Sequence, residues 1–337
     1  MNENIPNKSQ RTSIESINKL TPIFSEKISS YLNIEPNNID GLKKNSIIMS
    51  ELSGHNNQIC LIEYYDIEKK FVGEVCLKYS IDRKKIKSLK IESIILDVLY
   101  LNNILCPKVI DTGLKDENDS AYIIMETVKG ESVNNRVLNI SDAEKILDII
   151  KSHETILLKN LQLLQIAGFT QDIYQEIDFE KKVLDFIKNF TPNFFIRDSC
   201  NFLNSHLNST NIIKQRAIIT DRSTENMFID RNNKINMIDF STVRIGTKFD
   251  NWIQFIDDPR AKFSCTKEEL VRLFFKKNNL QESEKDFYYA ASIYTNLLQG
   301  IFTYKKDSKL SMKYLKNVNY CFRKLINKKG VLIDISH

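Results

Sequence analysis

The period of the apolar positions changes near residue 130. Before it, short apolar runs separated by polar turns predict strands at Ser46–Leu52, Ile59–Tyr65 and Phe71–Tyr79, the last two joined by a turn around Asp66–Lys70. A helix follows over about Arg83–Asn103, where Ile86, Leu89, Ile94, Ile95, Val98 and Leu99 recur at roughly 3.6 spacing. Pro107-Lys108-Val109-Ile110 opens a second strand pair, turning at Lys115–Ser120 and returning along Ala121–Glu126. Beyond Gly130 the pattern is mostly helical. Helices are predicted over Asp142–Leu164 with Ser141 as N-cap, over 177–189 and 195–207, and near Lys267–Lys277, Glu282–Tyr304 and Leu310–Lys328. A polar, Asn- and Ser-rich stretch opens the chain, and residues 22–33 show helical spacing again.

One segment interrupts the helices. In residues 217–241 two apolar runs, Met227–Ile229 and Ile235–Ile238, flank the polar turn Asp230-Arg231-Asn232-Asn233-Lys234 and predict a short hairpin. Asp221 and Asn226 stand just before it, and Asp239-Phe240-Ser241 just after. Asp-x-x-x-x-Asn, a hairpin and Asp-Phe is the layout of a kinase catalytic loop with its metal-binding aspartate. The chemistry accounts for the residue types. Phosphoryl transfer is positioning plus charge neutralisation, so one carboxylate, Asp221, orients the attacking hydroxyl and accepts its proton. Mg²⁺ takes oxygen ligands, which an Asn carbonyl and a second carboxylate supply; Asn226 and Asp239 are those candidates. Turn chemistry alone is the competing reading, because Asp and Asn are common in turns and this chain is rich in Asn.

Composition narrows the field. The 337 residues suffice for two lobes and a sizeable core, and 42% hydrophobic with 27% charged residues fits a globular protein. A net charge of +5, spread along the chain, gives no nucleic-acid stripe. Six cysteines show no Cys-x-x-Cys pairing, so neither a zinc site nor a disulfide framework is expected. No apolar run approaches ~20 residues and the N-terminus has no signal core, which points to no membrane association and a cytoplasmic location.

Other residues fall into kinase order around that segment. Ser53-Gly54-His55-Asn56-Asn57 joins the first two strands; such a loop can lay backbone N–H groups on phosphate oxygens, or be an ordinary hairpin loop. His55 reads as a solvated loop histidine. Lys78, near the end of the third strand, sits where a kinase keeps the lysine that contacts the α- and β-phosphates, although an ammonium at a strand end is normally reached by solvent. Glu92 is its candidate partner, with Asp97 in competition. At Glu126-Thr127-Val128 a strand runs into a linker, where adenine would bond to the backbone of Glu126 and Val128.

Taken in order, the Ser53–Asn57 loop, Lys78, Glu92, Met125-Glu126, Asp221, Asn226, Asp239-Phe240 and Asp250 resemble the aminoglycoside phosphotransferase / choline kinase group of protein-kinase-like small-molecule kinases, over about residues 22–258. The resemblance implies an α+β, protein-kinase-like two-lobed fold. It would comprise a polar extension (1–21), a small antiparallel-sheet N-lobe (22–128) and a mostly helical C-lobe carrying the catalytic loop (129–337). It also implies ATP, Mg²⁺ and transfer of the γ-phosphate to a hydroxyl of a small molecule. By the same resemblance Ser53, Gly54, Asn56, Asn57, Lys78, Glu92, Glu126 and Val128 contact the nucleotide. Asp221 is the base and Asn226 and Asp239 hold metal. Asp250 corresponds to a buried structural aspartate, or it simply caps the helix at Asn251. The chain departs from the family in three places. Ile219-Thr220-Asp221 replaces His-Gly-Asp, so the histidine that braces the loop is missing and Ile219 is expected to pack there. Arg222 stands where an apolar residue is common, either to steady a phosphate or in solvent. Ser241 replaces Gly after Asp-Phe. A protein or peptide kinase is a second reading, opposed by the lack of an Ala-Pro-Glu segment. A catalytically weak pseudokinase serving as a nucleotide-binding interaction protein is a third, favoured by the lost histidine. The lysines after residue 300 outnumber the carboxylates there, which favours a neutral hydroxyl acceptor over a polycation, while Asp172, Glu176, Asp178, Asp257, Asp258 and Glu268 remain available to a cation.

Overall fold

A computed structural model of the chain describes residue 28 and residues 30–32, 47–52, 58–65, 68, 70–80, 82–113, 121–168, 216–304 and 306–328. The loop holding Ser53, Gly54, Asn56 and Asn57, the helices expected at 177–189 and 195–207, and Asp172, Glu176 and Asp178 lie outside the described residues. The chain divides into two compact units: one is drawn from residues up to Ser93 with Pro107–Thr127, the other from Ile94–Cys106 with Val128 onward.

The first unit is a five-stranded antiparallel sheet in the order β1-β2-β3-β5-β4, with β1 at Ile47–Leu52, β2 at Gln58–Tyr65, β3 at Phe71–Ser80, β4 at Val109–Gly113 and β5 at Ala121–Glu126. Period-two alternation decides what β3 does. Val75, Leu77 and Tyr79 join Cys60, Ile62, Tyr64, Tyr122 and Ile124 in one apolar cluster. Lys78 and Ser80 point to the other face and are buried as well. Helix α1 (Arg83–Leu101) begins in this unit, and Leu89, Glu92, Leu96 and Leu99 form a buried stripe at helical spacing. It ends without glycine. Asn103 takes the left-handed conformation (φ 58°) while the amides of Asn103 and Ile104 bond back to the carbonyls of Tyr100 and Leu99. Asn233 in the hairpin turn and Asn279 after a later helix also have positive φ, so among the described residues Asn serves three times where Gly is usual. That use suits a chain with only 9 glycines.

The second unit is mostly helical. Helix α2 (Ile140–Lys159) is opened by Asn139 in a reciprocal capping box with Asp142, so the cap lies two residues before the expected Ser141. Helices α3 (Leu161–Ile166), α4 (Asp250–Ile256), α5 (Lys267–Lys277), α6 (Glu282–Tyr304) and α7 (Ser308–Lys328) follow, and α6 packs most extensively on α7. Their core is aromatic: Trp252 stacks on Phe274 at 5.7 Å between centroids, and Phe249, Phe287 and Tyr288 close around them. Small ladders carry the segment of interest. The strand Arg216–Thr220 pairs antiparallel with Val243–Thr247, and Met227–Ile229 pairs antiparallel with Ile235–Met237. No helix among the described residues is long and apolar enough to cross a membrane.

Candidate active site

The hairpin register does what the spacing requires. Met227 faces Met237, and the amide of Ile238 bonds to the carbonyl of Asn226 at 2.9 Å, so Asp239 returns beside Asn226. Asp221 lies at the end of the incoming strand, half-buried, with Oδ1 accepting from the Ser223 amide at 3.0 Å. Asn226 turns Nδ2 to Ser223 Oγ (3.2 Å), which leaves its carbonyl oxygen facing elsewhere. Asp239 has φ 60°. Its Oδ1 accepts from Ser241 Oγ at 2.5 Å and from the Ser241 amide at 3.4 Å, so the serine in the place of glycine fixes the carboxylate. An amide oxygen and a carboxylate are a fitting protein share for Mg²⁺, which keeps most of its sites for water and phosphate.

In the sheet unit the Lys78 ammonium lies 2.9 and 2.7 Å from the two oxygens of Glu92, with the side chains 4% and 1% exposed. Glu92 therefore meets Lys78; Asp97 is exposed. The Glu126 side chain accepts from Tyr31 Oη (3.0 Å) and from the Lys108 amide (3.2 Å), and its amide bonds to the Lys108 carbonyl at 2.9 Å.

No protein-family model and no curated protein sequence matches the chain. Solved structures do. An amicoumacin kinase in complex with AMP-PNP, Ca²⁺ and Ami matches with a TM-score of 0.57 at 13% identity, over 91% of this chain and 96% of that one. APH(2″)-IIIa in complex with GDP and kanamycin gives 0.56 at 12% identity, over 88% and 98%. A choline/ethanolamine kinase family protein from Mesorhizobium loti gives 0.50 at 11% identity, over 91% and 95%. The fold is that of the protein-kinase-like small-molecule kinases.

Within this kinase-like fold the loop is held by residues that spacing alone did not single out. Asn251 Oδ1 accepts from the Thr220 amide (3.0 Å), Gln254 Oε1 from the Arg222 amide (3.2 Å) and Asp258 Oδ2 from the Thr224 amide (2.7 Å). Alternate amides of an extended loop thus meet side chains three and four residues apart on and just past α4. Asn251 also donates to the Ile218 carbonyl (2.9 Å) and to Glu154 (2.7 Å). Asp250 is buried and takes the Thr247 amide and hydroxyl, each at 2.7 Å, and Thr295 at 3.3 Å, so it is a structural residue in the first turn of α4 and Phe249 is the N-cap. Asn251, Gln254 and Asp258 recur every three to four residues, but the backbone amides that they meet carry no sequence signature.

Ile219 is buried, and a Cβ on Gly246 of the paired strand would lie 1.8 Å from its Cδ1; glycine there makes room for the isoleucine. Arg222 is neither in solvent nor free to meet a phosphate. It is 1% exposed, its guanidinium lies 5.6 Å from the Phe240 ring centroid, and Nη1 lies 2.9 Å from Met237 Sδ. Burial lowers its pKa to about 10 against the fields of Glu154 and Asp221, which raise it. His153, fully buried, sets its ring 5.7 Å from Phe240; burial and then the Arg222 charge hold it neutral. Burial pushes half-buried Glu154 up to about 7 although Asn251 and Arg222 pull it down.

Of the carboxylates open to a cationic acceptor, the three among the described residues are engaged. Asp257 is buried against Lys267 (2.6 Å), Ser292 (2.6 Å) and Asn296 (2.5 Å). Asp258 holds Thr224 and, at 2.8 Å, Arg260. Glu268 lies 3.5 Å from Lys324. Lys306, Lys309, Lys313, Lys316 and Arg323 form a solvated face on and before α7.

Proposed function

We propose that the chain is an ATP- and Mg²⁺-dependent phosphotransferase that moves the γ-phosphate to a hydroxyl of a small molecule. The observation that carries the reading is the hairpin that returns Asp239 beside Asn226, five residues after Asp221. The fold shared with kinases that are complexed with AMP-PNP and Ca²⁺, or with GDP, supports it. Mg-ATP, when bound, supplies an electrophilic phosphoryl group and the positive charge that offsets its oxygens. The chain supplies position. Asp221 orients the acceptor hydroxyl and takes its proton at a carboxylate oxygen, while the Ser223 amide fixes the other oxygen. Asn226 and Asp239 are the oxygen ligands for the cation, and Lys78, steadied by Glu92, is the phosphate contact. The backbone at Glu126 and Val128 and the loop of Ser53, Gly54, Asn56 and Asn57 complete the nucleotide's reading. With Asp257 and Asp258 engaged inside the helical unit, a neutral or weakly charged acceptor such as a sugar or nucleoside is favoured over a polycation.

The test is ATP turnover with Mg²⁺ across neutral sugars, nucleosides, choline and aminoglycosides, run on the wild type and Asp221→Asn. The variant is expected to lose on the order of 10³-fold in kcat while nucleotide binding persists, because the loss falls on the transition state. Equal turnover in the variant rules out Asp221 as the base. Ile219 in the histidine's place favours a nucleotide-binding interaction protein as the second reading, and nucleotide binding without turnover on any acceptor would establish it.

A further inference from the structure

Resting on that reading, we infer that Arg222 is a positioning residue which locks the proposed base to the proposed metal segment. Two residues that its guanidinium touches lie on either side of Asp239: Met237, two positions before, through Nη1 at 2.9 Å to Sδ, and Phe240, one position after, through the guanidinium 5.6 Å from the ring centroid. Arg222 is itself the residue next to Asp221, and its own amide is pinned to Gln254 at 3.2 Å. One rigid planar group therefore ties the loop that carries Asp221 to the strand and turn that carry Asp239. Phe240 is kept in place by a second neighbour, the neutral His153 ring at 5.7 Å.

The arrangement is poor as a device for stability. Arg222 is 1% exposed, yet Nε and Nη2 have no hydrogen-bond partner among the described residues. Sulfur is a weak acceptor, and an aromatic face offsets only part of the desolvation of a guanidinium. Apolar replacements of buried ionic groups are often neutral or stabilising. A residue kept for packing alone would be better apolar. A residue kept for the spacing between Asp221 and Asp239 needs Arg's length and plane.

The two roles move stability and turnover in opposite directions. Arg222→Met preserves length and an apolar stem. It is expected to have a Tm equal to or above that of the wild type, a kcat for Mg-ATP turnover about 10- to 100-fold lower, and a KM for ATP within about threefold, since a misplacement of ~1 Å costs on this scale. Arg222→Lys keeps the charge but not the plane and should fall between the two, with kcat down about fivefold. It decides the matter by itself if the Met variant does not fold. An unchanged kcat per folded molecule in either variant overturns the inference, as does a loss confined to KM, which would make Arg222 a nucleotide-binding residue. A wild-type chain that turns over Mg-ATP with neither water nor the acceptor panel overturns the functional reading instead.

Discussion

The two units bury a cation in opposite ways. In the sheet unit Lys78 and Glu92 satisfy each other through both carboxylate oxygens, at 2.7 and 2.9 Å. In the helical unit Arg222 rests on a ring and a sulfur, with carboxylates contributing only through their fields. In the first arrangement each charge offsets the desolvation of the other. The second depends on what surrounds it. A buried pair is therefore expected to fail as a pair, whereas a buried single charge is expected to fail through the geometry it imposes on neighbours.

The largest effect should come from breaking the pair on one side. The strand-end position of Lys78 predicted that its loss would harm transfer more than folding, on the premise that solvent reaches the ammonium. The structure removes the premise, since Lys78 is 3% exposed. Lys78→Met leaves Glu92 charged and buried inside a helix stripe and is expected to destabilise by about 3–5 kcal/mol in urea unfolding. Lys78→Met with Glu92→Leu removes both charges and should recover most of that loss while turnover stays abolished. A double variant no more stable than the single one would show that the two charges do not depend on each other.

The contrast is sharpened at Asn251, which holds the loop by hydrogen bonds without any charge. Asn251→Ala strands the Thr220 amide and the Ile218 carbonyl and takes a donor from Glu154. Each buried group left unmade costs about 1–3 kcal/mol, but water admitted to the space left behind relieves part, so about 2–3 kcal/mol is expected. Urea unfolding measures it. A loss below about 0.5 kcal/mol would mean that the loop amides find other partners.

These same residues mark how far the sequence could be read. Strands, helices and the hairpin follow from period and turn residues, and the described elements agree with them to within a few residues at most ends. The Lys78–Glu92 pair was legible only as an order of residues, a lysine near a strand end and a glutamate in the helix that follows, with Asp97 in competition; burial of Glu92 beside Leu89 and Leu96, with Asp97 exposed, decides between them. Arg222 was misplaced because a single charged residue after an aspartate carries no period, and only the packing of Phe240 and Met237 shows that it turns inward. Asn251 and Gln254 were overlooked for a related reason. Their partners are backbone amides some 30 residues earlier, and backbone amides have no sequence signature. The Ser141 cap erred locally: Asn139 offers the same chemistry two residues earlier and has Asp142 in place to answer it.

The smallest effect concerns His153 and Glu154, two of the titratable groups around Arg222. Burial holds His153 well below its usual 6.5, so the unfolded chain gains a proton that the folded one refuses; His153 stabilises above pH 6.5 and that contribution is lost as pH falls below it. Burial lifts Glu154 from 4.5 to about 7, so the folded chain keeps a proton that the unfolded one has released; this contribution is complete below pH 4.5 and is lost as pH rises toward 7. Between about pH 5 and 6.5 the two slopes oppose one another, each up to ~1.4 kcal/mol per pH unit, and the pair contributes almost no net pH dependence. Removing one uncovers the other. Glu154→Gln should make stability fall toward pH 5, and His153→Leu should make it rise toward pH 5, relative to the wild type. Urea unfolding at pH 5, 6 and 7 reads both slopes. Parallel pH profiles for the wild type and both variants would mean that neither proton differs between the folded and unfolded chain, and that the surroundings of Arg222 are wetter than the packing indicates.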